Sequence, residues 1–427
     1  IRLPSRRVHF SSWTVLTGLE NGQEDALLFM DRIDGAWRMV RGDALFLVGR
    51  LHLPGDYRTS SATTPELQWE WPRPIAEREG QMMLPARSLE LDWIQVELSS
   101  RCAGRCVYCP VHRFRGRRHE SVMADETFAA LEPSLPVARL VFLQGWGEPL
   151  MDPQLWSRVE RVRKAGPDVG FTTNGTLLES SQRKALLKSG VEIVGVSVAG
   201  AAAGTHDRFR TGSPLATVDR NLRELRREKD MAGTGLPRVH VAYQVLASNL
   251  RELPDVIRRA EAWGADEVVA SHLDLVLSPE LEKESLAFRT DLEDEWRARV
   301  NEARTLAEEK GISFHAYHPD PHRPRPTCTE NVLRSCFVSV DGSVSPCVMT
   351  NLGLKEGESA GHRFRGEEVP WTRLVFGNVN DDSLERIWRS KAARDFRGVF
   401  RQRDWQGSRD RDGLPETCRS CTKAYEG

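Results

Sequence analysis

The stretch Cys102-Ala103-Gly104-Arg105-Cys106-Val107-Tyr108-Cys109-Pro110 is the most informative part of the sequence. It directly follows the apolar run Ile94–Leu98, which is predicted to be a buried strand. Three thiols on one short loop can bind three corners of a [4Fe–4S] cluster and leave one iron without a protein ligand. A structural zinc site has four protein ligands, so three cysteines leave that alternative one ligand short. The spacing therefore predicts an iron–sulfur centre with one open coordination position.

On both sides of this loop the sequence alternates between short apolar runs and amphipathic stretches. The runs predicted as strands are Ile94–Leu98, Leu140–Leu143, Val169–Thr172, Ile193–Val198, Val239–Leu246, Glu267–Ser271 and Ile312–Ala316. The stretches predicted as helices are Pro153–Lys164, Ser181–Lys188, Val218–Arg227, Glu252–Trp263 and Pro279–Lys310. Gly190, Gly264 and Gly311 follow three of these helices, at the usual stop position. Repeated βα units predict an α/β fold with a parallel sheet or a (β/α) barrel.

The composition of the 427-residue chain excludes several classes of function. Its 60 Lys and Arg residues nearly balance its 61 Asp and Glu residues, so no global field attracts it to nucleic acid or to a membrane. No stretch approaches the about 18 apolar residues that a membrane-spanning helix needs. The eight cysteines lie in close groups, unlike a disulfide framework, so we expect reduced, metal-binding thiols and a cytoplasmic location.

A basic stretch, His112–His119, follows the cysteine loop and interleaves Arg with Phe. This composition is compatible with nucleic-acid binding, but the net charge of −1 argues against it. We expect instead a mobile loop that faces an acidic substrate or solvent.

Residues 1–88 differ from the βα pattern and are predicted to form a β-rich accessory module. The short apolar runs Ala26–Met30, Trp37–Val40 and Ala44–Leu51 are separated by Gly-containing turns that are typical of hairpins. Gln68–Trp71 is a further candidate strand. Two roles stay open for the module: an oligomerisation or lid domain, and peptide recognition.

Further motifs follow the next strands, and together with the cysteine triplet they resemble the radical S-adenosylmethionine (SAM) superfamily. Gln144-Gly145-Trp146-Gly147-Glu148-Pro149 is similar to the family's Gly-Gly-Glu-Pro element, with Trp146 between the two glycines. Thr172-Thr173-Asn174-Gly175 matches a third-strand signature. The segment Val196-Ser197-Val198-Ala199-Gly200 matches a fourth-strand signature, although the family commonly has Asp at the position of Ala199. His206-Asp207-Arg208-Phe209-Arg210 resembles a segment whose Arg pairs with the SAM carboxylate.

The resemblance implies that the open iron binds SAM and that an electron from the cluster cleaves it to a 5′-deoxyadenosyl radical, which abstracts hydrogen from substrate. It also implies a partial (β/α) barrel. Cys102, Cys106 and Cys109 are then the cluster ligands. The residues implied to bind SAM are Tyr108, Gly145, Trp146, Gly147, Glu148, Asn174, Ser197 and Arg210.

The other five cysteines lie near the C-terminus. Cys336 and Cys347 flank two short predicted strands around Asp341-Gly342, and Cys418 and Cys421 form a C-x2-C pair. Four thiolates can bind either zinc or a fully ligated [4Fe–4S] cluster.

This region resembles the SPASM and twitch extensions of radical SAM enzymes, which carry auxiliary iron–sulfur clusters. A full SPASM domain has further cysteines after the C-x2-C pair, so we expect one auxiliary [4Fe–4S] cluster here. The expected ligands are Cys336, Cys347, Cys418 and Cys421, and Cys328 is a fifth candidate.

The resemblance predicts three domains: the accessory module (1–88), a radical SAM core (89–318) and an auxiliary cluster domain (319–427). It implies an enzyme that modifies a peptide or protein, and an electron donor such as flavodoxin or ferredoxin. Two alternatives remain: a radical SAM dehydrogenase of a small carbohydrate-like metabolite, and a non-catalytic metal-binding scaffold. The motifs name no catalytic acid or base.

Overall fold

The computed structural model describes the backbone of five strands within residues 7–50, and residues 91–287, 289–317 and 324–425. The chain divides into two compact units, Ile1–Leu84 and Pro85–Gly427. The candidate strand Gln68–Trp71 lies outside the described residues, as does the segment 318–323 around the predicted boundary between the core and auxiliary domains. The three-domain division with boundaries at 88 and 318 stays a prediction.

The N-terminal unit contains one antiparallel sheet. Its strands are β1 (Arg7–Phe10), β2 (Trp13–Leu16), β3 (Ala26–Asp31), β4 (Ala36–Arg41) and β5 (Ala44–Arg50). Each strand pairs with the next along the chain. The three apolar runs predicted as hairpin strands are therefore confirmed as β3, β4 and β5.

The second unit is built on parallel strands in consecutive order. They are β6 (Leu91–Val96), β7 (Ala138–Phe142), β8 (Asp168–Thr173), β9 (Ile193–Val198), β10 (Arg238–Gln244), β11 (Glu267–Ser271) and β12 (Ser313–Ala316). Every neighbouring pair from β6 to β12 is parallel. All the strands predicted from apolar runs are confirmed, and the fold is an α/β partial barrel.

Helices cross over between these strands. They are α1 (Pro110–Arg113), α2 (Asp125–Leu131), α3 (Leu155–Ala165), α4 (Ser180–Ser189), α5 (Ala203–Phe209), α6 (Leu215–Ala232), α7 (Leu253–Trp263), α8 (Pro279–Glu284) and α9 (Glu293–Lys310). Gly190, Gly264 and Gly311 adopt φ values of 69°, 64° and 67° just past α4, α7 and α9. The predicted glycine stops are confirmed, because this left-handed conformation favours glycine.

The prediction of one continuous helix over Pro279–Lys310 is wrong. Helix α8 ends at Glu284, and α9 begins at Glu293. Between them Leu286 and Ala287 are buried, with 8% and 2% of their surface exposed. Burying these two apolar side chains in the core draws the chain out of the helical path, which the amphipathic pattern of the flanking helices could not reveal.

The C-terminal region extends the sheet of the barrel. Strand β13 (Ser335–Val338) pairs in parallel with β6, and β14 (Ser343–Ser345) returns antiparallel to β13. Gly342 has a φ of 83° in the intervening turn, so the predicted hairpin around Asp341-Gly342 is confirmed. The remaining elements are β15 (Ala360–Phe364), β16 (Glu367–Trp371), β17 (Gly377–Asn378), α10 (Leu384–Trp388) and α11 (Lys391–Gln406).

The main hydrophobic core lies between the parallel strands and their helices. Alternate residues of β9, Val194, Val196 and Val198, are fully buried in it. The same core continues into the C-terminal region through Val338, Val344 and Trp388. Among the described residues, no helix is long and apolar enough to cross a membrane.

Candidate active site and metal centres

The loop that carries Cys102, Cys106 and Cys109 follows β6 and is held by main-chain hydrogen bonds. Arg105 N–H donates to the Thr211 carbonyl oxygen at 2.7 Å, and Val107 N–H donates to the Phe209 carbonyl oxygen at 3.0 Å. Cys109 caps the N-terminus of α1, where Pro110 occupies the first helical position. The end of α5 and the residues that follow it therefore fix this cysteine loop.

The three thiols of this loop lie close enough to influence one another. Burial raises the pKa of Cys109 to about 12, and the neighbouring Cys106 adds to the shift. Burial also raises the pKa of Cys102, as does Glu148. Gly104 N–H donates to Cys102 Sγ at 3.3 Å. Because charged thiolates here are disfavoured by burial and by each other, a positively charged iron core that binds all three would offset that cost. This donor set fits a [4Fe–4S] cluster.

The two glycines of the second motif let its backbone lie against the segment that follows β6. A Cβ atom at Gly145 would lie 2.3 Å from Glu97 Cγ, and one at Gly147 would lie 2.0 Å from the Ser99 carbonyl oxygen. Trp146 occupies the intervening position, and its backbone N–H donates to Glu97 Oε1 at 2.8 Å. Only glycine fits at 145 and 147, whereas the side chain of Trp146 points away from this contact.

Glu148 joins the second motif to the third. Its carboxylate accepts hydrogen bonds from Thr173 Oγ1 at 2.7 Å, from Asn174 N–H at 2.8 Å and from Leu150 N–H at 3.2 Å. Burial raises the pKa of Glu148, and these donors oppose that shift. Asn174 Nδ2 lies 3.9 Å from Cys102 Sγ. The predicted residues Glu148 and Asn174 therefore lie together, beside the cysteine loop.

Arg210 and Tyr108 also meet at this loop. Arg210 is 8% exposed, and its Nη1 donates to the Tyr108 hydroxyl at 2.8 Å. Its positive charge interacts favourably with Cys106. Ser197 lies in β9 opposite Ala242 of β10, on the strand face opposite to the buried valines, and is partly exposed.

Part of the basic stretch after the cysteine loop is packed against the protein, because Phe114 and Arg118 are buried, whereas His112, Arg113, Arg115 and His119 are exposed. Arg118 is 1% exposed, and its Nη2 lies 3.8 Å from Glu97 Oε1. Arg117 pairs with Glu358 at 2.5 Å. The expectation that the stretch faces solvent is therefore met by most of its side chains but not by Arg118, and its mobility stays a prediction.

Four cysteines of the C-terminal region line one cavity: Cys328, Cys347, Cys418 and Cys421. Burial raises the pKa of Cys328, and the nearby Cys421 and Cys418 contribute. Burial likewise raises the pKa of Cys347, with contributions from Cys328 and Cys421. This mutual influence places the four thiols around a common space and, as at the first loop, fits a group that neutralises thiolate charge.

Cys336 is not part of this set, contrary to the sequence-based choice of ligands. It lies within β13 opposite Ile94 of β6 and is 1% exposed in the core of the barrel. Burial raises its pKa to about 12, and the charged group beside it is Arg397. Cys336 shares its strand face with Val338, so the same alternation that buries Val338 turns this thiol into the core.

The cavity also contains a histidine that sequence analysis did not single out. His362 on β15 is 8% exposed, and its Nε2 lies 2.9 Å from Ser420 Oγ and 3.1 Å from the Ser420 carbonyl oxygen. A carbonyl oxygen only accepts, so Nε2 carries the proton. His362 thereby braces the turn between Cys418 and Cys421.

Neither group of thiols is spaced for a single metal ion. Within the described part of the chain, no three or more His, Cys, Asp or Glu side chains lie close enough to bind one ion.

Comparison with known protein families agrees with this geometry. A model of the radical SAM superfamily matches residues 96–239, which include the cysteine loop and the motifs after β7, β8 and β9. Residues 96–239 of the chain form a radical SAM domain. A model of the SPASM iron–sulfur cluster-binding domain matches residues 328–422 and begins at Cys328. The cofactors of this radical SAM enzyme are accordingly SAM, a SAM-binding [4Fe–4S] cluster and an auxiliary iron–sulfur cluster.

Individual relatives differ in what they act on. The tungsten-containing aldehyde ferredoxin oxidoreductase cofactor-modifying protein of Pyrococcus furiosus is 26% identical over 313 residues, covering 72% of this chain and 84% of the relative. The PqqA peptide cyclase of Gluconobacter oxydans is 25% identical over 345 residues, covering 80% and 85%. Streptococcus suis SuiB bound to its precursor peptide SuiA has a similar fold, with a TM-score of 0.51 and 10% identity over 79% of this chain and 71% of SuiB.

Two residues beside the SAM-binding motifs were missed from the sequence, Glu97 and Arg118. The signal for Glu97 was a charged residue inside the apolar run Ile94–Leu98, where an unpaired charge is costly. No comparable signal distinguished Arg118 from the exposed arginines around it.

We expect the substitution Gly147→Ala to weaken SAM binding by more than about tenfold, because moving a binding backbone by about 1 Å has effects of that size or larger. The added methyl group would collide with the Ser99 carbonyl oxygen. Equilibrium dialysis with labelled SAM measures the effect. The matched control is Gly398→Ala, at a helical glycine with nothing within 4 Å of its Cβ position. Equal affinity in both variants would contradict this role for Gly147.

We also expect Cys328→Ser and Cys336→Ser to differ in iron content. The wild-type enzyme should hold about eight irons per chain in two four-iron clusters. Cys328→Ser should fall toward about four, because it removes a thiol from the auxiliary cavity. Cys336→Ser should keep its iron, because Cys336 lies in the barrel core. Iron and acid-labile sulfide assays on anaerobically reconstituted protein measure the cluster content of each variant. Loss of iron in Cys336→Ser but not in Cys328→Ser would assign Cys336 as the ligand instead.

Proposed function

We propose that this radical SAM enzyme modifies a peptide or protein. The observation that carries the proposal is the direct contact between the SAM-binding motif and the auxiliary domain. Trp146 Nε1 donates to the Asn351 carbonyl oxygen at 2.9 Å, four residues after Cys347. This hydrogen bond joins the SAM-binding motif to the segment that carries Cys347. In this proposal a single substrate lies at the junction, where it reacts with SAM-derived chemistry and is then oxidised.

The side chains at this junction suit an apolar or aromatic substrate group. Trp146, Tyr108 and Trp371 are only partly buried, and all pack against one apolar cluster that includes Leu275 and Leu352. Trp371 Nε1 is held by the Met349 carbonyl oxygen at 2.9 Å. Rigid aromatic side chains of this kind bind peptide side chains at low conformational cost. The similarity to the PqqA peptide cyclase extends over 80% of this chain and 85% of the cyclase, and it supports a peptide as the substrate class.

In this proposal the residues of the chain hold and orient the reactants. Cys102, Cys106 and Cys109 hold the SAM-binding cluster, and the backbone of Gly145–Glu148 and the side chain of Arg210 orient SAM. Cys328, Cys347, Cys418 and Cys421 hold the auxiliary cluster. When bound, the two clusters supply the electron that cleaves SAM to a 5′-deoxyadenosyl radical and an acceptor for the electron that an oxidised product loses.

A low-potential electron carrier such as flavodoxin or ferredoxin is the proposed donor. The cysteine loop is open to such a partner, since Val107 is 40% exposed and Arg105 beside it is exposed.

Reduced enzyme without oxygen should convert SAM to 5′-deoxyadenosine, and a candidate peptide encoded beside its gene should change in mass. The triple variant Cys102→Ala, Cys106→Ala, Cys109→Ala should do neither, because it has no ligands for the SAM-binding cluster. Chromatography of the nucleoside and mass spectrometry of the peptide are the measurements. Turnover of a purified carbohydrate-like metabolite without any peptide would support the dehydrogenase alternative. Nucleoside formation by the triple variant would refute the assigned ligands.

A variant lacking Cys418 and Cys421 should still form 5′-deoxyadenosine but should yield no modified peptide. The reason is that these thiols belong to the auxiliary cavity and not to the SAM-binding loop. Cys336→Ala is the matched control, because it removes a thiol of the same region that lies outside that cavity. Both variants must first be soluble with the SAM-binding cluster intact by spectroscopy, since losing a cluster can unfold its domain. Normal product yield without Cys418 and Cys421 would assign the auxiliary domain a structural role.

A further inference from the structure

Arg118, the inner residue of the basic stretch, lies where two parts of the structure meet. Its Nε donates to the Leu352 carbonyl oxygen in the auxiliary region. Its Nη2 lies 3.8 Å from Glu97 Oε1, at the end of β6. A single buried side chain thus contacts the auxiliary domain and the end of β6 beside the cysteine loop.

The main chain on both sides of Arg118 is bonded to the same auxiliary segment, Asn351–Lys355, which we name the latch segment. His119 N–H donates to the Gly353 carbonyl oxygen at 3.0 Å, and Lys355 N–H donates to the Arg117 carbonyl oxygen at 2.9 Å. Trp146 Nε1 bonds the Asn351 end of this segment. The latch segment therefore contacts the SAM-binding motif and the basic stretch that follows the cysteine loop.

Packing alone does not explain why an arginine occupies position 118. Nη1 and Nη2 of Arg118 are buried with no hydrogen-bond partner among the described residues. A buried guanidinium with unsatisfied N–H groups is costly, and apolar side chains of similar volume often replace buried ion pairs without loss of stability. What an apolar side chain could not supply is a fixed fork that bonds a carbonyl on one side and faces a carboxylate on the other.

We propose that Arg118 is a positioning residue that holds the latch segment against the SAM-binding centre and so couples the auxiliary domain to it. Glu97 completes the arrangement, because its Oε1 faces Arg118 and also accepts the Trp146 backbone N–H. Displacing Arg118 would release the latch segment and, through Glu97, the backbone of the motif that binds SAM. The proposal depends on the SAM-binding centre and not on which substrate the enzyme modifies.

The test compares Arg118→Met with the wild-type holoenzyme by hydrogen–deuterium exchange of the latch segment and by the electron paramagnetic resonance spectrum of the reduced protein with SAM. Exchange in residues 350–356 should accelerate by more than about tenfold, as expected from losing a hydrogen bond to a charged group. The spectral change that SAM induces at its cluster should shrink or vanish. Neither measurement needs turnover, so failure of the proposed peptide substrate would not affect the result.

Three further variants complete the experiment. Arg117→Met is the matched control, because the neighbouring Arg117 side chain pairs with Glu358 outside the latch segment; its exchange should stay within about twofold of wild type, as expected for an exposed pair. Glu97→Gln with Arg118→Met removes both charges, so it should fold with full iron even if Arg118→Met alone does not. Arg118→Lys keeps the charge but loses the fork and should behave like Arg118→Met.

The proposal would be overturned if the double variant showed the hydrogen–deuterium exchange of the wild type in the latch segment and the wild-type electron paramagnetic resonance spectrum with SAM. Full rescue by lysine would also overturn it, since charge alone would then suffice.

Discussion

The pairing of β13 with β6 is the contact on which the arrangement of both centres depends. Strand β6 pairs with β7 on one edge and with β13 on the other. The main-chain N–H groups of Asp92 and Glu97 also donate to the carbonyl oxygens of Arg334 and Val338, at 2.8 Å each. An unpaired strand edge at this place would leave backbone groups exposed to water or to other chains. Because residues more than two hundred positions apart satisfy this edge, the auxiliary region is built onto the barrel rather than tethered to it.

A second constraint is the burial of charge around the cysteine loop. Glu97, Arg118, Glu148 and Arg210 are each at most 8% exposed. An ion removed from water costs several kcal/mol unless partners replace its hydration. Here the partners of the carboxylates are main-chain N–H groups of the loops proposed to bind SAM, at Trp146, Leu150 and Asn174. The cost of burying the carboxylates is thus offset by hydrogen bonds that also hold these loops in place.

Much of the barrel could be predicted because its signals are local. A run such as Leu140–Leu143 must be buried on both faces, and Gly190, Gly264 and Gly311 stop helices through a backbone conformation that few other residues adopt. The break between α8 and α9 could not be predicted in this way. It depends on where Leu286 and Ala287 find space in the core, and that space is formed by residues distant in the sequence.

The sequence by itself determined the predicted chemistry of the first centre, because its three proposed ligands lie on one loop of eight residues, Cys102–Cys109, whose spacing alone brings the thiols together. The second centre needed the tertiary structure. Cys328 and Cys336 are both near Cys347 in the sequence, and both are thiols of the right type. Only the pairing of β13 with β6 turns Cys336 into the barrel core and leaves Cys328 facing Cys347, Cys418 and Cys421. The same holds for Arg118: its neighbours in the basic stretch are chemically alike, and its burial follows from a segment more than two hundred residues away that packs over it.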